Sequence, residues 1–127
     1  MIRNILIVDD SATTRAVVRV YLSGNDCIFH EATDGVMGMQ MARRVRPDVI
    51  ILDLKLPGMD GLTFCRTCRA DPKLRDTPIL LITGSKNEAV AQAALAAGAS
   101  AFMVKPVAGT ALADLVLEFL KRKEQPT

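Results

Sequence analysis

The chain has 127 residues, half of them hydrophobic and 24% charged, with a formal net charge of +2. That length bounds it to one domain, and the near balance of scattered charges argues against a nucleic-acid face, where Lys and Arg would concentrate. Met1-Ile2-Arg3 leads straight into an apolar run, no stretch reaches membrane-spanning length, and Cys27, Cys65 and Cys68 make no disulfide framework, so a cytoplasmic protein with no signal peptide and no membrane contact is expected.

Ile5-Leu6-Ile7-Val8 reads as a strand buried on both faces, and it ends in Asp9 and Asp10. Ser11 can cap a helix that starts near Ala12, carries Val17, Val20 and Tyr21 on one face and stops at Gly24. Residues 26–32 form a more polar run containing His30 and Glu31, which suits a sheet edge with His30 solvated. Asp34 predicts the cap of a second helix bearing Val36, Met39 and Met41, which ends before Pro47. Val49-Ile50-Ile51-Leu52 is the next strand and ends in Asp53. A loop, Lys55-Leu56-Pro57-Gly58-Met59-Asp60-Gly61, leads to a third helix with Leu62, Cys65 and Cys68 inward. The two cysteines have the spacing of a redox pair, but at i, i+3 on a buried helix face they are packing groups.

Ile79-Leu80-Leu81-Ile82 is a fourth such run and ends in Thr83. Ser85 and Glu88 predict a capping box for an Ala-rich helix that closes at Gly98. Ala101-Phe102-Met103-Val104 ends in Lys105-Pro106. The last helix turns Leu112, Leu115, Val116, Phe119 and Leu120 to the core. Its end, Lys121-Arg122-Lys123, complements the helix dipole. Residues 1–123 are read as the domain and 124–127 as a tail or the start of a linker.

Five strands alternating with five helices imply an α/β three-layer sandwich around a parallel sheet with right-handed crossovers. In an open parallel sheet ligands sit beyond the carboxyl ends of the strands. Asp9, Asp10, Asp53, Thr83 and Lys105 should therefore meet at one rim. Three carboxylates held together repel; at about 4 Å and an effective dielectric of about 20 each pair costs on the order of 4 kcal/mol. A bound cation relieves this. Oxygen ligands on a shallow rim suit Mg²⁺, and the Lys55 carbonyl could add another oxygen; zinc would want Cys or His neighbours. A cation site beside a carboxylate, a Lys and a Thr meets the needs of phosphoryl transfer, with Asp53 as nucleophile, Lys105 on one phosphoryl oxygen and Thr83 on another.

These motifs together resemble the receiver domain of bacterial two-component response regulators, the chemotaxis regulators among them. The matching residues are Ile7-Val8-Asp9-Asp10, Asp53 to Gly61 as written above, Thr83-Gly84, and Ala97-Gly98-Ala99 running on to Lys105-Pro106. The resemblance implies a flavodoxin-like sheet of strand order 2-1-3-4-5 and a phosphorylation-dependent signalling switch. It further implies Asp53 as phosphoacceptor, and Mg²⁺ held by Asp10, Asp53 and the Lys55 backbone carbonyl, with Asp9 joined through water. Lys105 pairs with the phosphoryl group across a cis Lys105–Pro106 bond. Thr83 and Phe102 are the switch residues, and Lys55 and Ser85 tune the phosphoryl lifetime. The phosphoryl donor would be a sensor histidine kinase or phosphotransfer protein. A downstream protein would read the face made by the fourth helix, fifth strand and fifth helix. Catalysis would be limited to the domain's own phosphorylation and dephosphorylation.

Two other functions compete. A Mg²⁺-dependent phosphohydrolase with an Asp nucleophile would usually carry a second acid two residues on, where Lys55 stands. A flavin or nucleotide binder would use a Gly-rich phosphate loop, and none of the common kind is present.

Overall fold

The computed structural model describes residues 2–124. The end of the expected tail, 125–127, lies outside them. Strands β1 (Arg3–Val8), β2 (Cys27–Ala32), β3 (Val49–Asp53), β4 (Ile79–Thr83) and β5 (Ala101–Val104) alternate with helices α1 (Ala12–Leu22), α2 (Gly35–Val45), α3 (Gly61–Ala70), α4 (Glu88–Ala97) and α5 (Gly109–Glu124). The sheet is parallel throughout, in the order β2-β1-β3-β4-β5.

The two-residue period of the strands divides the core. Leu6, Val8, Ile50, Leu52, Ile79 and Leu81 face α2, α3 and α4 with Met39, Phe64, Cys65 and Cys68. Ile5, Ile7, Val49, Ile51, Leu80 and Ile82 face α1 and α5 with Val18, Leu22, Leu112, Val116 and Phe119. Each large side chain so buried contributes about 1.5–3 kcal/mol of transfer free energy. Cys65 and Cys68 are free thiols in the core. Burial pushes them up to about 11 and about 12, so they stay protonated and inert. On the polar edge strand β2, half-buried His30 meets Asn4 Oδ1 at 3.1 Å.

Asp34 caps α2 and Gly98 closes α4 as the sequence implies, and Asp60 caps α3. Gly98 sits at φ 115°, a left-handed position that favours glycine. Its carbonyl accepts from Arg69 Nε at 2.9 Å, and Arg69 Nη1 also reaches the Arg75 and Thr77 carbonyls at 2.9 and 2.8 Å. One guanidinium thus ties the C-terminal end of α4 to α3 and to the approach to β4.

Three local expectations are corrected. In α1 the sheet takes Val18 and Leu22, while Val20 and Tyr21 are 69% and 47% exposed. The run Val17-Val18-Arg19-Val20-Tyr21-Leu22 contains two apolar stripes of helical spacing, and only tertiary packing chooses between them. Val36 in α2 is 48% exposed. Its place is taken by Gly38, where an added Cβ would stand 2.8 Å from Val8 Cγ1, so the helix lies close on β1. Helix α4 is capped by Asn87, whose Oδ1 accepts from Ala89 N at 2.8 Å, not by Ser85; Ser85 Oγ instead accepts from Asn87 N at 3.1 Å. Asn caps as well as Ser, and the tight turn at 85–87 starts the helix later.

Gly61 opens α3 directly beneath the rim. A Cβ there would stand 2.8 Å from Leu54 Cα and 2.9 Å from the Asp53 carbonyl oxygen, both backbone atoms. Gly61→Ala should therefore destabilise the fold by about 1–3 kcal/mol, the usual cost of overpacking. At Gly84 an added Cβ would meet nothing within 4 Å, so Gly84→Ala should leave stability unchanged. Urea midpoints of the two variants measure the contrast.

Candidate functional site: an acidic cluster at the strand ends

β1 and β3 are adjacent, in the register Val8↔Leu52, so the residues that follow them emerge side by side. Carboxylate oxygens of Asp9, Asp10 and Asp53 all lie within 4.8 Å of one another. Asp9 and Asp53 are buried, at 2% and 7% exposure, and Asp10 is exposed. The cluster thus has a closed floor and one open side.

Asp9 is tightly held. Its N–H donates to the Ala32 carbonyl at 3.0 Å, its Oδ1 accepts from Ser11 N at 2.8 Å, and its carbonyl accepts from Arg15 Nη1 at 2.7 Å. Its Oδ2 is buried and accepts no hydrogen bond among the described residues. The Lys105 ammonium stands 3.3 Å from that atom and 3.2 Å from Asp53 Oδ2. Asp53 Oδ1 accepts weakly from Lys55 N at 3.3 Å.

Burial, then the neighbouring Asp9 charge, pushes the Asp53 carboxyl above its ordinary value, against the pull of Lys105 and of the Lys55 N–H. Burial acts against the Lys105 charge, but Asp9 and Asp53 together outweigh it and raise the ammonium above its ordinary value. One cation thus bridges two buried acids and offsets one of their two charges, and the third acid adds charge at the open side.

β4 and β5 supply the other wall. Lys105 N donates to the Thr83 carbonyl at 2.7 Å, which holds the two residues side by side at the strand ends. The Thr83 hydroxyl, 3% exposed with its residue, accepts from Ser85 N at 3.1 Å. That leaves its proton free to donate to an incoming oxygen. The Lys105–Pro106 bond is cis. Phe102 is half-buried and packs on the α2–α3–α4 side of the sheet. Lys55 is exposed and Ser85 half-exposed at the mouth.

The family pattern described as "Response regulator receiver domain" matches residues 5–117. The chain belongs to that family. The receiver domain is 37% identical over 107 residues to "Response regulator PleD" of Caulobacter vibrioides, covering 84% of this chain and 24% of PleD. It is 36% identical over 124 residues to "Cyclic di-GMP phosphodiesterase response regulator RpfG" of Xanthomonas campestris pv. campestris, covering 96% of this chain and 33% of RpfG. The chain thus spans a quarter to a third of those relatives. Among solved structures it is similar to the chemotaxis response regulator CheY4 of Vibrio cholerae, with a TM-score of 0.82 and 31% identity over 96% of this chain and 98% of that one. It is also similar to the signal receiver domain of a signal transduction histidine kinase from Syntrophus aciditrophicus, with a TM-score of 0.88 and 30% identity over 98% of this chain and 95% of that one. Both the flavodoxin-like order 2-1-3-4-5 and the family read from the motifs are those found.

The receiver domain brings Asp9, Asp10, Asp53 and Lys105 into one cluster, with Thr83 at the neighbouring strand end. Sequence reasoning missed Arg15. It lies six residues past Asp9 on the first turns of α1, and its role appears only when the helix folds back over the end of β1. Among the described residues no helix is long and apolar enough to cross a membrane.

Proposed function

We propose that this receiver domain takes a phosphoryl group onto Asp53 in a Mg²⁺-dependent transfer and changes partner binding through the α4–β5–α5 face. The observation that carries this reading is the buried Asp9–Lys105–Asp53 bridge, with Asp9 Oδ2 left without a hydrogen bond. A buried acceptor oxygen beside two more carboxylates fits a hard cation with oxygen ligands. Asp10, Asp53 and the Lys55 carbonyl would hold it, with Asp9 acting through water. When bound, Mg²⁺ would neutralise charge on the transferring phosphoryl oxygens.

The chain's own groups do the rest. An Asp53 oxygen attacks the phosphorus of a phosphohistidine, the P–N bond breaks, and the imidazole leaves. Lys105 shifts from the Asp53 carboxylate to the new phosphoryl oxygens, which carry more charge. The Thr83 hydroxyl donates its free proton to another of them. The donor is a sensor histidine kinase or phosphotransfer protein, and the reader is a downstream protein in the cytoplasm. The basic residues are scattered along the sequence and the net charge is only +2, so direct nucleic-acid binding is not proposed. Exposed Lys55 and half-exposed Ser85 at the mouth regulate access of hydrolytic water.

A switch and a hydrolase differ in turnover. With Mg²⁺ and acetyl phosphate the chain should carry at most one phosphoryl group, lost only at the slow rate of its own dephosphorylation. Continuous release of product from an excess of a small phosphomonoester would overturn the switch reading.

Phe102 carries the output prediction. When Thr83 turns toward the phosphoryl group it opens space beside α4, into which the ring can move. One local charge then biases a two-state element, and the gap must be a few kcal/mol for a single phosphoryl group to reverse it. Phe102→Ala should keep phosphorylation and shrink the ratio of partner affinities with and without a phosphoryl analogue, by about fivefold or more. An unchanged ratio would make Phe102 a packing residue only.

A further inference from the structure

We propose that Arg15, oriented by Glu31, is a positioning residue for the acidic cluster: it fixes the peptide between Asp9 and Asp10 and so sets both of the β1-derived carboxylates for a divalent cation. The inference rests on the Mg²⁺ reading above and adds a residue to it.

The geometry is that of an outer shell. Arg15 Nη1 donates to the Asp9 carbonyl at 2.7 Å while its Nε donates to Glu31 Oε1 at 2.9 Å. Glu31 also takes Nη1 of Arg19 on its other oxygen. The Arg15 side chain is only 17% exposed. The Asp9 N–H is already held by β2 through the Ala32 carbonyl, at 3.0 Å. Arg15 holds the other side of the residue, so the planar unit joining Asp9 to Asp10 cannot rotate. Rotation of that plane would swing Asp10 away from the cluster and aim Asp9 Oδ2 elsewhere. Fixing it aligns the two carboxylates before any ion arrives.

Two physical effects of Arg15 on cation affinity have opposite signs, which makes the role testable. As a positive charge near the cluster, Arg15 repels a divalent cation, so its removal should tighten binding. As the holder of the peptide plane, its removal should loosen binding; loss of an outer-shell partner commonly costs about 10–100-fold in metal affinity. Weaker binding therefore cannot be a charge effect. Nor can it be a general loosening of α1 against β2 if Arg19→Gln, which cuts the same Glu31 pair without touching Asp9, leaves affinity unchanged.

The test is calorimetric titration of the metal-free chain with MgCl₂, alongside urea unfolding in EDTA to confirm that each variant is folded. Arg15→Met should weaken Mg²⁺ binding by about tenfold, and Glu31→Gln by less. Arg15→Lys, which retains one donor and the charge, should recover part of the loss. In phosphorylation by acetyl phosphate, the Mg²⁺ concentration for half-maximal rate should rise in Arg15→Met while the rate at saturating Mg²⁺ stays within about twofold. Unchanged or tighter Mg²⁺ binding in folded Arg15→Met and Arg15→Lys would overturn the positioning role alone. An equal loss in Arg19→Gln would overturn it as well. Absence of any Mg²⁺ binding by the wild-type chain would overturn the parent reading, and this inference with it.

Discussion

Asp53→Asn is expected to lower phosphoryl incorporation from acetyl phosphate to background while leaving the chain folded. The amide is nearly isosteric but is no nucleophile, so transfer ends even though the rim keeps its shape. The same substitution should raise the metal-free urea midpoint at neutral pH. The sign follows from the raised Asp53 carboxyl, which burial and Asp9 hold above its ordinary value in the folded chain. A carboxyl whose folded value is raised binds its proton more tightly folded than unfolded. Its ionised form therefore costs stability above that raised value, and stability is regained as pH falls through it toward the unfolded value. Lys105 keeps Asp9 as a partner at 3.3 Å, so the ammonium is not orphaned. Labelling of Asp53→Asn at wild-type level would remove Asp53 from the chemistry. An unchanged midpoint would mean that Lys105 fully offsets the buried charge.

Mg²⁺ should stabilise the wild-type chain and fail to stabilise Asp10→Asn. Folding gathers three carboxylates into one site that the unfolded chain lacks, so the ion binds the native state preferentially. At a hundredfold excess over its dissociation constant it should contribute about 2.7 kcal/mol. For a chain of this size that is roughly 5–15 °C in melting temperature. Asp10 is the exposed carboxylate, so its replacement perturbs packing least while removing one of the proposed ligands. Without metal, Asp10→Asn should melt at the wild-type temperature or above it, because a like charge has gone. Thermal scans of both proteins in EDTA and in MgCl₂ give all four values. Equal Mg²⁺-induced shifts in wild type and Asp10→Asn would contradict the cluster as the cation site.

The rim was legible because its residues follow strands whose apolar runs are unambiguous. Ile5 to Val8, Val49 to Leu52 and Ile79 to Ile82 are all buried, and a parallel sheet forces their carboxyl ends to one edge. Once Asp9, Asp53, Thr83 and Lys105 are assigned to strand ends, their meeting follows from topology. Helix faces were less legible. The apolar residues of α1 satisfy two stripes at once, and only contact with the sheet selects Val18 and Leu22. Local caps depend on which of several good acceptors the turn presents, hence Asn87 in place of Ser85. Arg15 was invisible for another reason. Its partners are a backbone carbonyl six residues back and Glu31 on a neighbouring strand, and neither leaves a periodic trace. A side chain that acts on the backbone of a rim residue carries no motif of its own.

The location of the phosphoryl group is the most direct test of the whole reading. The chain is incubated with acetyl phosphate and MgCl₂, reduced with borohydride, which converts an aspartyl phosphate to homoserine, and mapped by peptide mass spectrometry. Homoserine is expected at position 53, dependent on Mg²⁺ and absent when EDTA replaces it. Homoserine at position 9 or 10, or none at any position in fully folded protein, would contradict it.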